Sequence, residues 1–241
     1  MRVAAQPAYV LHVRSWREAS LLLEAFTRDF GRVGLVARGV RSARARLSRS
    51  ALEPLQALHL DWSGRGELQT LTAAEPADRP SGLRGNRLMS AMYVNELMVR
   101  LTARGDPHPG LFARYAGLLV ELATSSQSLA WSLRRFERDL LAATGYALQL
   151  ESTADGGAPI EAACMYDYLP EAGPVEAAAV HARSGVRIRG SALLALATDG
   201  APPEAGDLAA LRRLMRSLIG IHVGQHGLQS WRVLAEPLHA G

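Results

Sequence analysis

The stretch LLLEAFTRDFGRVGLVAR, Leu21 to Arg38, decides the fold. Leu21 to Phe26 is an apolar run, the Arg28-Asp29-Phe30-Gly31 turn ends it, and Arg32 to Arg38 resumes as a second extended segment. Upstream, Tyr9-Val10-Leu11-His12-Val13 has the composition of a strand. Downstream, Leu55 to Trp62 is another, broken at Ser63-Gly64-Arg65-Gly66, a strong hairpin signal, and Leu68 to Ala73 completes the set. Five strands within about 70 residues are what an OB-type barrel requires, a fold whose open face commonly binds single-stranded nucleic acid. Strand counting alone leaves another small barrel or a sandwich open.

Glu75 to Gly82 is a linker by composition, and beyond it the apolar period changes from near two to near 3.6. Residues 1–80 are therefore expected to form an OB-fold domain, and residues 81–150 the first part of a helical domain. Leu88, Met92, Leu97 or Val94, Met98 and Leu101 mark the core face of one helix, stopped before Gly105-Asp106-Pro107. Leu111 to Ala123 makes a second. A third runs from Leu129 to Thr144 with Gly145 as its C-terminal cap; it would bury Leu133, Phe136, Leu140 and Leu141 and present Arg134 and Arg138 on its other face, with Arg135 paired to Asp139.

Residues 151–190 have no helical period and are punctuated by Gly156-Gly157, Pro159, Pro170 and Gly173-Pro174, so they read as a small loop-rich subdomain with one strand at Val186 to Arg189. Residues 191–241 complete the helical domain. A short helix opened by Gly190 or Ser191 runs through Ala197, and a longer one, capped by Asp207, runs to about Ile221 with Leu208, Leu211, Met215, Leu218 and Ile219 facing a core. The fold class is α+β.

Charge is distributed unevenly over these segments. All 27 basic residues are arginine and the formal net charge is +4. Residues 151–180 hold six acids and no arginine, so an acidic insert interrupts a chain that is otherwise more basic than its total suggests. Gly31 to Leu52 is the reverse: Arg32, Arg38, Arg41, Arg44, Arg46 and Arg49, with no Asp or Glu. Confining those charges costs self-repulsion that an anionic partner would relieve, and planar guanidinium forks donate two hydrogen bonds at once to phosphate. Charge alone does not separate this reading from a solvated loop. Arg212, Arg213 and Arg216 line the polar side of the last helix and form a second candidate anion site, or a solvated face.

Several chemistries are excluded. Without lysine there is no Walker A loop, Schiff base or lysine general base, and HExxH, GxSxG and GxGxxG patterns are absent. Cys164 stands alone, cannot form an internal disulfide or a cysteine zinc cage, and is expected to be a buried structural thiol. Of seven histidines only His222 and His226 have a ligand-like spacing, and Gly220, Gly224 and Gly227 argue against the helix that pair would need. No metal site, cofactor or catalytic constellation is expected, hence no enzyme; the acids of 151–176 are too loosely spaced for a nuclease. No apolar stretch approaches the roughly 20 residues that span a bilayer, and Met1 to Tyr9 lacks the apolar block of a secretory signal, so a cytoplasmic location is expected.

Several quoted segments together resemble the RecO family of bacterial DNA repair proteins. They are Tyr9-Val10-Leu11, Ser20-Leu21-Leu22-Leu23, Phe26-Thr27, and Gly31-Arg32-Val33 leading through Leu35-Val36-Ala37-Arg38-Gly39-Val40-Arg41. Arg65 to Leu71 resembles the family's fifth-strand hairpin, Tyr93-Val94-Asn95-Glu96-Leu97 its first helix, and Leu133-Arg134-Arg135-Phe136-Glu137 with Thr144-Gly145-Tyr146 its third. Order and spacing hold across residues 9–146 and weaken beyond Leu150.

The resemblance implies an OB-fold, a helical domain and a small zinc-ribbon-like region that binds zinc through cysteines in some relatives; with Cys164 alone, zinc does not carry over. It implies a non-enzymatic recombination mediator that binds single- and double-stranded DNA and anneals complementary strands. With RecR it would assist RecA loading on DNA coated by single-strand-binding protein, in the cytoplasm and on the nucleoid. It also implies that the helical domain grips the acidic, Phe-ended tail of that coating protein, with Arg134, and after it Arg135, as carboxylate partners. The DNA-binding set is Arg32, Arg38, Arg41, Arg44, Arg46 and Arg49. The alternative is a protein-binding scaffold whose arginine loop meets an acidic partner instead of DNA.

Overall fold

The computed structural model describes residues 1–40, 49–77, 82–124, 128–177, 185–224 and 227–231. The chain divides into two compact units, Met1–Ser125 with Leu228–Gly241, and Ser126–Gly227. The change of apolar period near residue 80 marks the end of the barrel strands, whereas the compact units divide further along the chain.

In the first unit, β1 (Arg2–Trp16), β2 (Ser20–Thr27), β3 (Gly31–Ala37), β4 (Ala57–Ser63) and β5 (Leu68–Pro76) form a closed barrel in the order β1-β2-β3-β5-β4. All neighbours are antiparallel except β3 and β5, the OB-type arrangement expected from the sequence. β1 is much longer than its Tyr9-to-Val13 core. It pairs with β4 through its first half and with β2 through its second, and register breaks between Val3 and Gln6 and between Val10 and His12 bend it around the barrel. Inward side chains Val10, Leu23, Ala25, Val33, Leu35, Leu58, Leu60, Trp62 and Leu71 fill the interior. A short 3-10 turn, Arg49–Leu52, adds Leu52 to that core.

Two helices, α1 (Gly85–Leu101) and α2 (Pro109–Thr124), belong to the same unit. α1 buries only part of the stripe expected for it: Val94, Leu97 and Met98 are buried, together with Ala91, Tyr93 and Asn95, but Leu88 and Met92 are each 38% exposed. The buried face is turned toward Asn95 because that polar side chain has partners: Asn95 Nδ2 donates to Leu11 O at 2.9 Å, at the β1 bulge, and Tyr115 Oη donates to Asn95 Oδ1 at 2.5 Å. An amide so satisfied can sit in a core, which a hydrophobicity pattern cannot anticipate. Gly31, at φ 63°, is required where the α1–α2 connection meets the barrel, since a Cβ there would lie 2.1 Å from Asp106 O. The Glu96 carboxylate of α1 accepts from the backbone of Gln229 and Ser230 at 2.6 and 2.9 Å, fixing the end of the described chain to this unit.

The second unit contains α3 (Leu129–Ala143), β6 (Met165–Leu169), β7 (Gly173–Glu176), β8 (Val186–Arg189), α4 (Gly190–Thr198) and α5 (Ala205–Val223). Residues 151–190 are thus not merely loop-rich with one strand: β7, β6 and β8 form an antiparallel sheet in that order. β6 was illegible because Tyr166, Asp167 and Tyr168 are buried in succession, leaving no alternation, with Arg187 satisfying Asp167 through two hydrogen bonds of 2.9 and 3.0 Å. Asp207 is not the cap of α5. Glu204 holds that position, and Asp207 accepts from Ser191 Oγ at 3.1 Å. Among the described residues no helix is long and apolar enough to cross a membrane.

Candidate nucleic-acid interface

The outward face of β1, β2 and β3 is where an OB-type barrel ordinarily offers aromatic rings to bases. Register places Tyr9 beside Phe26 and Phe26 beside Arg32 in one outward row, His12 beside Glu24 and Gly34 in the next, and Arg14 beside Leu22 and Val36 in a third. The first row is taken. Tyr9 lies 5.5 and 5.0 Å from the rings of Phe112 and Tyr115, and Phe26 lies 5.7 and 6.4 Å from the same pair, so α2 covers both strand aromatics. Phe26 is wholly buried, and burial pushes the Tyr115 phenol far above its ordinary pKa. Bases cannot stack there.

Arg32 is likewise committed. Its Nη1 donates to Glu24 Oε2 at 2.6 Å, and its Nε and Nη2 donate to Thr102 O at 3.2 and 2.9 Å. Arg104, from the α1–α2 connection, bonds the other oxygen of the Glu24 carboxylate, which raises the Arg104 pKa. Glu24 therefore bridges two guanidinium groups and ties the helices to the sheet. The expectation that Arg32 meets phosphate is corrected: the acid-free window began at Gly31, but strand pairing brought in Glu24 from the preceding strand.

The remaining members of the set are placed differently. Arg38 and Arg49 are exposed and have no ion-pair partner among the described residues. Arg41, Arg44 and Arg46 lie outside the described residues. Arg38 directly follows Ala37, which pairs with Leu21, and Leu21 pairs with Ser15, so Arg38 shares one end of the barrel with the β1–β2 turn. That turn adds residues the sequence reading missed. Arg14 is exposed with its guanidinium carbon 5.7 Å from the Trp16 ring centroid, and Arg17 is exposed. Extending the period-two strand past Val13 would have placed Arg14 and Trp16 together on its outer side.

In the second unit α3 uses up its arginines. Arg134 is 6% exposed and bonds Glu137, which is fully buried. This is an internal ion pair, so Arg134 is corrected from docking group to core residue. Of the expected core positions, Phe136, Leu140 and Leu141 are buried and Leu133 is only half-buried. Arg135 Nε donates to Asp199 Oδ1 at 2.8 Å rather than to Asp139. Arg138 bonds Asp139 at 2.6 Å, reaches Asp199 at 2.9 Å and donates to Leu196 O. Partial burial raises the Asp199 pKa, but the Arg135 hydrogen bond and the charges of Arg138 and Arg135 outweigh it and leave the carboxyl below its ordinary value.

Elsewhere in this unit, Leu141, Tyr146, Tyr168, Glu171, Leu218 and His222 line an open groove of mixed polarity, with the Tyr146 and His222 rings 3.8 Å apart. Arg212, Arg213 and Arg216 of α5 are all exposed. Cys164 is half-buried rather than buried; desolvation and the neighbouring Glu161 raise its pKa, which disfavours the thiolate. His226 lies outside the described residues, and no group of three or more potential metal ligands occurs among the described ones.

Family comparison agrees with this architecture. A model described as "Recombination protein O N terminal" matches residues 1–80, and one described as "Recombination protein O C terminal" matches residues 83–232. Similar proteins include the DNA repair protein RecO of Xanthomonas euvesicatoria pv. vesicatoria, 42% identical over 98% of each chain. The DNA repair protein RecO of Nitrosococcus oceani is 46% identical over 98% of this chain and 94% of its own.

Proposed function

Because the chain belongs to the RecO family of DNA repair proteins, we propose that it is a DNA-binding recombination mediator that grips phosphate backbones at one end of its barrel and performs no covalent chemistry. The observation carrying this reading is the exposure of Arg38 and Arg49 on either side of Arg41, Arg44 and Arg46, in a barrel whose outward Tyr9 and Phe26 are already packed against Phe112 and Tyr115. Guanidinium groups remain available where rings do not. Binding of this kind neutralises phosphates without reading bases, so it serves single and double strands alike and lets two complementary strands approach for pairing.

The same reading assigns the chain to cooperation with RecR in loading RecA on DNA coated by single-strand-binding protein, in the cytoplasm and on the nucleoid. The aromatic end of that coating protein's tail would enter the groove beside Tyr146 and His222, since Arg134 is unavailable.

Fluorescence polarisation with a labelled single-stranded oligonucleotide tests the core of this. If about five phosphates are neutralised, affinity falls roughly a hundredfold between 50 and 200 mM salt, independent of base sequence. A flat salt titration overturns it. Strand annealing in the presence of the coating protein, with and without its last residues, tests the partner assignment: equal rates with the two forms would remove it.

A further inference from the structure

β8 and α5 pack together in the second unit, and Arg189 of β8 and Arg213 of α5 open onto one shallow hollow. Arg212 precedes Arg213 on α5, and Arg189, Arg212 and Arg213 are all exposed. The side chains of Arg189, Arg212 and Arg213 make no ion pair with any described residue. Glu204 and Asp207 line the same hollow at the N-terminal end of α5, yet neither lies within ion-pair distance of Arg189 or Arg213, and Asp207 is held by Ser191. From Leu208 to Trp231 the chain contains no acid at all. Arg212 and Arg213 therefore have no acid on their own helix beyond Asp207.

From this geometry we propose a second binding surface for nucleic-acid phosphates, formed by Arg189, Arg212 and Arg213; it rests on the DNA-binding reading above. Charge favours this occupant, because among the described residues no carboxylate lies within ion-pair distance of Arg189, Arg212 or Arg213. Each guanidinium can take a phosphate with two parallel hydrogen bonds. A protein carrying one such surface on its barrel and another on its second unit can hold two strands at once, as strand annealing requires.

The test compares the full chain with two variants, Arg189→Gln/Arg212→Gln/Arg213→Gln and Arg38→Gln/Arg41→Gln/Arg44→Gln/Arg46→Gln/Arg49→Gln. Polarisation is read against salt with a single-stranded oligonucleotide. Energy transfer between two non-complementary labelled oligonucleotides reports simultaneous occupancy. The first variant should keep the wild-type melting temperature, reduce the magnitude of the logarithmic salt slope by about two, and lose energy transfer while still binding one oligonucleotide. An unchanged slope with undiminished energy transfer overturns this surface and leaves the barrel reading standing. Failure of the wild-type chain to bind either oligonucleotide overturns both. A change in sedimentation mass with unaltered DNA binding would assign these arginines to contact with a second copy and overturn the proposal.

Discussion

Two helices of the second unit carry the same arginine spacing and opposite outcomes. α3 reads Leu133-Arg134-Arg135-Phe136-Glu137-Arg138-Asp139, and α5 reads Leu211-Arg212-Arg213-Leu214-Met215-Arg216-Ser217. In α3 every arginine is engaged by a carboxylate, and Arg134 is inside the core. In α5 the same three positions are exposed to solvent. The difference lies in what surrounds each helix. α3 packs against α4 and α5, which leaves little free surface, so its arginines had to find acids at Glu137, Asp139 and Asp199. α5 buries Leu211, Leu214, Met215 and Leu218 and leaves the opposite side bare. Arginine spacing therefore does not distinguish a cation spent inside the fold from one exposed to solvent; the burial of the face does.

The comparison breaks most easily at Glu137. Replacing Glu137 with Ala strands the Arg134 charge in the core and should lower the unfolding free energy by about 3–5 kcal/mol, whereas Arg212→Ala should stay within about 0.5 kcal/mol of wild type. Equal costs in urea denaturation would mean that the two helices do not differ as described. The barrel offers the same contrast on a smaller scale. Arg32→Ala removes a part-buried pair with Glu24 and two bonds to Thr102 O, for an expected loss of about 1–3 kcal/mol. Arg38→Ala should leave stability alone and weaken DNA binding. A variant pair behaving the other way round would return Arg32 to the phosphate-binding set.

The smallest effect concerns Asp199. Its pKa lies below the ordinary carboxylate value, so its ionised form stabilises the fold fully above that ordinary value, and the contribution disappears as pH falls through the lower folded-state pKa. Asp199→Asn should therefore lower the melting temperature by a degree or two near neutrality, and the gap to wild type should close on strong acidification. A gap that widened in acid would contradict the Arg135 and Arg138 pairing. The carboxylate is about half exposed, which keeps the effect small.

Much of this was legible beforehand, because the signals were local. The barrel strands announced themselves through the Arg28-to-Gly31 and Ser63-to-Gly66 turns, and β8, α4 and α5 through their periods. Features that rest on partners remote in the chain were not legible. Asn95 looks like a polar interruption of α1 until Leu11 O and the Tyr115 hydroxyl are beside it, and β6 hides its strand character behind a buried Asp167 that Arg187 satisfies. The candidate site fared similarly. Arg38 and Arg49 are exposed as that reading needs, Arg32 is not free because of Glu24, and the Arg14–Trp16 pair was passed over because the strand was ended too early.

By itself, then, the sequence determined the barrel, the succession of helices and the presence of more cations than local acids could match, since turn chemistry, periodicity and formal charge act over a few residues. Tertiary structure alone decided which of those cations are spent. An ion pair between Arg135 and Asp199, or between Arg104 and Glu24, joins residues 64 and 80 positions apart, and its formation depends on packing that brings the two together out of water. Until that packing is known, a guanidinium group that will hold the fold together and one left for a phosphate are chemically the same.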